Sequence, residues 1–454
     1  MINQIKKLMK NNFLRSASIL VGGSALAQAL AVVSLPVLTR LYSPDNFGLL
    51  VVYTSVVGIV SVAACLRLDI AIPVPKRDGD AANILVLALF SMLVVVLTTV
   101  IVINLFKGEI LALFDHPNLE DYLWLVPIGI LLNSTYSALQ YWATRKKAFS
   151  LIARTRVGRA VGGITTQAGL GFFGYTSGGL IIGQMVNSGA GIFGLTRHVF
   201  TQSTEAFKEV NLGRMRHLLV EYGRYPKYST FEALFNSASI QLPLILIAAM
   251  AVGSEAGYLM LSMKVMQAPM GMIGGAIAQV YLSRAPEEYR NQNLGVFTAK
   301  VLCGLLKTGV GPLFFVGFVA PQFFVIIFGS EWYRAGELLM WMTPWFVMQF
   351  LSSPISMALQ VANHQKRALI LQLVGLLLRV GSVIFAGLVS PAYLSEAYAL
   401  SGFIFYAFFV LVVLVSVGCK IGDITPQLKK SFPVLLGWSV FSLCVLGLCL
   451  FFMD

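Results

Sequence analysis

Long apolar runs, broken by short polar clusters, dominate this chain. An α-helix needs about 20 apolar residues to cross a hydrocarbon core of about 30 Å. Bounding each run by its flanking charges and turn residues predicts spans at 17–39, 46–73, 80–106, 121–144, 148–174, 177–197, 228–252, 255–283, 296–328, 335–363, 367–389, 392–418 and 432–453. That is thirteen predicted helices. The polar connections are short, except for about 30 residues from His198 to Lys227.

Composition supports that pattern. Of 454 residues, 57% are hydrophobic and 12% are charged, about half the soluble norm of about 25%. Mean hydropathy is +0.78. A soluble domain cannot hide so much apolar surface, and disorder needs the opposite balance. The sequence therefore predicts an all-α integral membrane protein of about 12–13 transmembrane helices. The N-terminal run continues to Leu38, too long for the apolar part of a signal peptide, so it is expected to stay as the first helix.

The net charge of +13 would suggest nucleic acid in a soluble protein. Here it follows from basic loops at the cytoplasmic face. With the N-terminus cytoplasmic, the predicted inner segments and the helix ends beside them hold 23 Lys and Arg; the outer segments hold only Arg40, Lys107 and Arg334. The long basic connection divides six helices from the next six and has the character of an interfacial segment. Ser43-Pro44-Asp45-Asn46-Phe47-Gly48-Leu49 opens span 2, and Ser254-Glu255-Ala256-Gly257-Tyr258-Leu259 opens span 8, a weak internal repeat. Cap serines and first-turn acids account for much of the repeat. The expected organisation is a six-helix lobe over 1–200, a basic linker over 201–227, a second lobe over 228–419 and an extra helix within 420–454.

Seven bases fall more than five residues from either end of the predicted spans: Arg67, Arg154, Arg156, Arg159, Lys264, Lys307 and Arg379. The acids nearest to that depth on the cytoplasmic side are Asp69 and Glu232, each four residues inside its span. A charge at mid-membrane costs about 2.5–3.5 kcal/mol on insertion scales. Such residues must face water, partners or an anionic cargo. Arg159, Lys264 and Arg379 lie deepest, while Arg67, Arg154, Arg156 and Lys307 lie closer to the cytoplasmic end, where snorkelling to headgroups is an equal alternative. Arg156 and Arg159, three apart, share a helix face.

Leu38-Thr39-Arg40-Leu41-Tyr42-Ser43-Pro44-Asp45-Asn46-Phe47-Gly48, then Leu66-Arg67-Leu68-Asp69, then Asp80-Ala81-Ala82, resemble the opening of polysaccharide-lipid flippases. Phe328-Gly329-Ser330-Glu331-Trp332 resembles that family's junction before helix ten. Over roughly residues 10–420 the chain resembles the Wzx-type flippases of the multidrug/oligosaccharidyl-lipid/polysaccharide exporter superfamily. The tail at 432–453 departs from their usual twelve helices.

The resemblance implies two lobes in a V and an undecaprenyl-pyrophosphate-linked oligosaccharide as cargo. It also implies a bacterial inner-membrane location and, as pathway partners, a polymerase and a chain-length regulator. The substrate-binding candidates are then Arg67, Arg156, Arg159, Lys264, Lys307 and Arg379, since guanidinium forks and ammonium charges suit phosphate oxygens. Asp69 and Glu232 are the carboxylates available for H+ or Na+ coupling, with a structural ion pair as the alternative. No cofactor or metal is expected.

Two other function classes compete. A multidrug or cation antiporter would want acids rather than bases in its spans. A membrane glycan polymerase would want positioned acids or bases and a sizeable loop. Three local patterns are expected to carry no site: Gly169 to Gly174, which matches a dinucleotide fingerprint without its βαβ context and reads as close helix packing; Pro269, Gly271, Gly274 and Gly275, which read as a bend or as plain packing; and Trp332, Tyr333, Trp341 and Trp345, which read as an interfacial aromatic belt. The four histidines are expected in loops.

Overall fold

The computed structural model describes residues 12–113, 120–251, 253–362 and 364–419, and helical pieces within 422–445. Among the described residues 88% are helical and none forms a strand. Nine helices are long and apolar enough to cross a membrane: α1 Ile19–Leu41, α2 Pro44–Ala64, α3 Asp78–Leu105, α4 Glu120–Arg145, α6 Ser177–Gln202, α7 Tyr225–Met250, α9 Leu294–Phe328, α11 Lys366–Val389 and α12 Pro391–Ser416. Three more of similar length complete the order: α5 Phe149–Phe172, α8 Glu255–Arg290 and α10 Tyr333–Ser352. These three carry polar residues inside the run, among them Arg159, Lys264 and Gln349. The chain is a multi-pass all-α membrane protein. The predicted span at 432–453 falls largely outside the described residues. Its described Trp438 and Phe441 rings lie 6.0 and 5.2 Å from Phe315 of α9.

The helices depart from the predicted runs at physically distinct places. The run predicted over 46–73 is not one helix. It stops at Ala64, turns through Leu66 and Arg67 at φ 49° and 55°, and resumes as one tight turn, Asp69–Ala71. Two consecutive non-glycine residues in the left-handed region are costly, and such strain collects at functional sites. The run predicted over 335–363 ends as a helix at Ser352, followed by turns and a short helix, Ala358–Val361. Conversely, α8 runs as one continuous helix through Pro269, Gly271, Gly274 and Gly275, where the sequence allows either a bend or plain packing. α9 contains a wider π turn at Leu306–Val310, which carries Lys307; such bulges recur at functional sites.

One cap expectation fails. Ser254 stands at the cap of α8 but makes no side-chain cap bond. The Ser254 hydroxyl turns instead to the Asp45 carboxylate.

The chain divides into two compact units: Met1–Tyr42 with Leu49–Ile245, and Ser43–Gly48 with Leu246–Asp454. In the first unit, α5 packs closely on α6. A Cβ on Gly183 would run into Gln167, so only glycine permits this approach. Gly171 and Gly179 form a seat for the Tyr42 ring, whose hydroxyl donates to the Gln167 carbonyl at 2.7 Å. In the fingerprint at Gly169–Gly174 only Gly171 is a packing residue; a Cβ on Gly169 would meet nothing within 4 Å, and Gly174 follows the helix end at φ 81°. α7 joins α2 through Ser55 and Gln241 at 3.1 Å.

In the second unit, α9 packs on α10 with Gly317 against Thr343. The expected aromatic belt divides. Trp332 and Trp345 are buried at 1% and 2% exposure, whereas Tyr333 and Trp341 remain exposed. Trp332 meets Phe47 edge-on at 5.1 Å and Tyr258 at 6.0 Å, so the opening of span 2, the opening of span 8 and the junction before α10 converge in this unit.

The long basic connection is helical. α6 carries His198, predicted in a loop, and is followed by the linker helices Thr204–Lys208 and Leu212–Glu221. Asn211 caps the second of these, accepting from the Arg214 amide at 2.8 Å.

Candidate functional site

Within the first unit, α4 organises the interior polar residues. Tyr136 and Gln140 are four apart and share one face; Ser137 and Tyr141 share the next. On the first face, the Arg159 guanidinium sits 3.8 Å from the Tyr136 ring centre, and its Nε donates to the Asn187 carbonyl of α6. The Tyr136 hydroxyl pairs with Thr155 at 3.2 Å. Arg156 reaches Ser24 of α1 at 2.5 Å and the Gln140 side-chain oxygen at 3.5 Å. A cation is attracted to an aromatic face without a counter-ion. Among the described residues, the ion pairs of this unit include none of Arg67, Arg154, Arg156 and Arg159. Arg154 is exposed.

On the second face, Ser137 donates to Asp69 Oδ2 at 2.8 Å. Asp69 is 6% exposed, and its Oδ1 has no hydrogen-bond partner. Arg67 Nε is likewise buried and unpaired. Tyr141 lies within electrostatic reach of both charges. Asp69 and Arg67 sit on a strained turn rather than one helix, and Asp69 bonds a serine, not a base. Glu232, the other coupling candidate, is exposed at the start of α7 and belongs to no ion pair among the described residues.

In the second unit, Lys264 and Lys307 are partly buried on α8 and on the π turn of α9. Arg379 is enclosed at 2% exposure. Its guanidinium carbon lies 4.8 Å from the Phe405 ring, 5.0 Å from Tyr406 and 5.4 Å from Trp345. Its Nε and Nη2 are buried without hydrogen-bond partners. The structure thus seals Arg379 in an aromatic box instead of leaving it open to solvent.

Sequence reasoning passed over three charged hubs. Arg145, 9% exposed at its side chain, gathers the carbonyls of Ile72, Pro73, Pro75 and Lys76 and the Asp78 carboxylate. Lys146 meets the same carboxylate at 2.5 Å. Arg214 of the linker forks onto Asp80 at 2.7 and 2.9 Å, a bidentate geometry. Its hydrogen bond to Asp80 holds the Arg214 guanidinium above its usual range. Arg77 pairs with Glu209 at 3.1 Å, and the Glu209 carbonyl accepts from Asn83.

The third hub lies in the second unit. There Arg334 binds Glu255 at 2.8 Å, Glu396 at 2.6 Å and Glu337 at 3.4 Å. Ser395 adds a bond to Glu255 at 2.7 Å. Among the described residues the ion pairs of this unit all belong to Arg334, so Lys264, Lys307 and Arg379 have none. Asp80 and Glu255 are marked in the sequence as parts of short motifs and Arg334 as an outer charge; their partners lie too far along the chain to be inferred. No group of described His, Cys, Asp and Glu could hold a metal.

With that geometry in view, the sequence matches the polysaccharide biosynthesis protein family over residues 37–337. Among curated proteins the sequence has no significant match. Solved structures share the fold. The lipid II flippase MurJ, in an inward closed conformation, has TM-score 0.75 at 14% identity, covering 94% of this chain and 92% of that one. An inward-facing multidrug resistance MATE transporter of the MOP superfamily has TM-score 0.59 at 13% identity, covering 87% and 94%. A MOP superfamily transporter from Pyrococcus furiosus, described by the reverse polarity of its binding pocket, has TM-score 0.51 at 14% identity, covering 89% and 94%.

Proposed function

The chain belongs to the polysaccharide biosynthesis protein family, and from that premise we propose that it is a flippase. It moves an undecaprenyl-pyrophosphate-linked oligosaccharide from the cytoplasmic to the periplasmic leaflet of a bacterial inner membrane by alternating access. The basic ends of its helices face the cytoplasm, where the positive-inside bias puts them.

The observation that carries this reading is the set of partly buried bases without acids: Arg67, Arg156 and Arg159 in one unit, and Lys264 and Lys307 in the other. A charge held in the membrane interior without a counter-ion is expensive and is repaid by a mobile anion. A lipid pyrophosphate supplies several acceptor oxygens for guanidinium forks. The likeness of the fold to a flippase of another lipid-linked precursor supports the same cargo class.

Arg379 serves through the shape of its box rather than by open contact. Asp69, held by Ser137 with one oxygen free, is the carboxylate we assign to ion coupling. Outward movement of net negative charge is also favoured by an inside-negative potential, by about 2.3 kcal/mol per charge per 100 mV. A polymerase and a chain-length regulator complete the pathway in which such a flippase works.

Likeness to a multidrug transporter favours one rival, export of cationic compounds. Deleting the gene separates the two. The flippase reading expects loss of a surface glycan and accumulation of lipid-linked units inside, restored by the wild-type gene. Intact surface glycans with altered sensitivity to cationic drugs replace it with the rival.

A further inference from the structure

The first unit holds a cavity of about 590 Å³ that none of the charged residues lines. Its walls are Val52, Val56 and Val60 of α2, Val95 and Thr99 of α3, and Val126 of α4, with neighbours of the same kind. Its polar side chains are Thr98, Thr99, Tyr53 and Tyr122. Both threonine hydroxyls are committed to their own helix, at 2.9 Å to the Val94 carbonyl and 2.8 Å to that of Val95. A cavity so lined offers water too few polar partners. The ligand class that fits is a hydrocarbon chain.

Place and shape narrow the class. Along α2 the lining runs from Leu49 to Val60, about 16 Å at 1.5 Å per residue, which is about half the hydrocarbon thickness. It occupies the half of the unit away from Asp80 and the linker helices. The cavity is a half-open cleft between α2, α3 and α4: Thr98 and Val102 at its α3 rim are exposed, and Leu97, outside the lining on the outer face of α3, is 62% exposed. Bilayer acyl chains already cover that outer face. The inner wall is dominated by β-branched side chains with stiff, projecting methyl groups, a relief that suits a chain bearing a methyl branch at every isoprene unit.

We propose that this cavity holds the first isoprene units of the cargo's polyprenyl chain in the leaflet that receives it. The proposal rests on the flippase reading and adds a site for the tail, separate from the bases assigned to the pyrophosphate. The cavity is lined by one unit alone, so it can grip the chain without any residue of the other.

The test places the photo-reactive residue p-benzoylphenylalanine at Thr99 in the full chain, and at Leu97 as a lipid-facing control. Each protein is reconstituted into vesicles of phosphatidylethanolamine and phosphatidylglycerol and irradiated with radiolabelled polyprenyl pyrophosphate. Labelling at Thr99 is expected to exceed that at Leu97 several-fold, and to be displaced by unlabelled polyprenyl pyrophosphate but not by added phosphatidylglycerol. Equal labelling at the two positions, or displacement by the phospholipid, overturns the proposal.

Val56→Trp fills the cavity, and a folded Val56→Trp protein is expected to lose most labelling of a Thr99 probe. Retention of full labelling in that variant also overturns the proposal. Transport of a polyprenyl-linked glycan by the wild type without labelling at Thr99 overturns the cavity assignment alone. Labelling at Thr99 without any transport overturns the flippase reading instead.

Discussion

The Ser254 hydroxyl donates to the Asp45 carboxylate across 209 residues of sequence. Around this bond the start of α2 lies on the start of α8. A Cβ on Gly257 would strike the Pro44 carbonyl, and Gly257 faces Gly48. The two halves of the weak sequence repeat are therefore partners in space, and the glycine between them sets their approach.

Gly257→Val is expected to destabilise the protein by about 1–3 kcal/mol, the usual cost of overpacking a closed contact. Thermal unfolding in detergent checks this. Gly22→Ala, where a Cβ meets nothing within 4 Å, is the control and is expected to leave the transition unchanged or slightly raised.

Arg145→Ala releases the segment from Ile72 to Asp78 and leaves its carbonyls unpaired. The expected loss is about 1–3 kcal/mol, with faster amide exchange confined to residues 72–78. Arg145→Lys should rescue little, because a single ammonium cannot reproduce a planar fork that meets several acceptors.

Much of this was legible in the sequence, and what was not has physical causes. The helices follow apolar runs, so α1, α3 and α11 fall where the pattern places them. The turn at Leu66 and Arg67 and the π turn around Lys307 lie inside runs that read as single spans, and hydropathy carries no backbone signal there. The depth of Arg379 follows from its position in its run. Its enclosure does not, because the box comes from Trp345, Phe405 and Tyr406 on two other helices. For the same reason Trp332 and Trp345 read as an interfacial belt although they are core. Arg145, Arg214 and Arg334 counted only as loop charges until the fold supplied their acceptors.

Arg379→Met is expected to raise the unfolding temperature while lowering transport. Exchanging a buried ion for an apolar side chain of similar volume is often neutral or stabilising, by about 1–4 kcal/mol where ion pairs have been replaced. A fall in unfolding temperature would show that the aromatic box is a structural clamp that needs the charge.

Asp80→Asn is expected to undock the linker helices, seen as faster protease cleavage between residues 203 and 225. The wild-type rate should itself rise with salt, since exposed charges are screened over about 10 Å at 0.1 M. Exchanging the charges, Asp80→Arg with Arg214→Asp, is expected to restore part of the protection.

The most direct measurement follows a fluorescent undecaprenyl-pyrophosphate-linked glycan across vesicles containing the purified chain, scored by access of a membrane-impermeant quencher. The account predicts that the wild type moves the lipid, and that Arg156→Gln, Lys264→Gln and Lys307→Gln each slow it while remaining folded. A wild-type protein that leaves the glycan lipid in place and carries a cationic dye instead would contradict it.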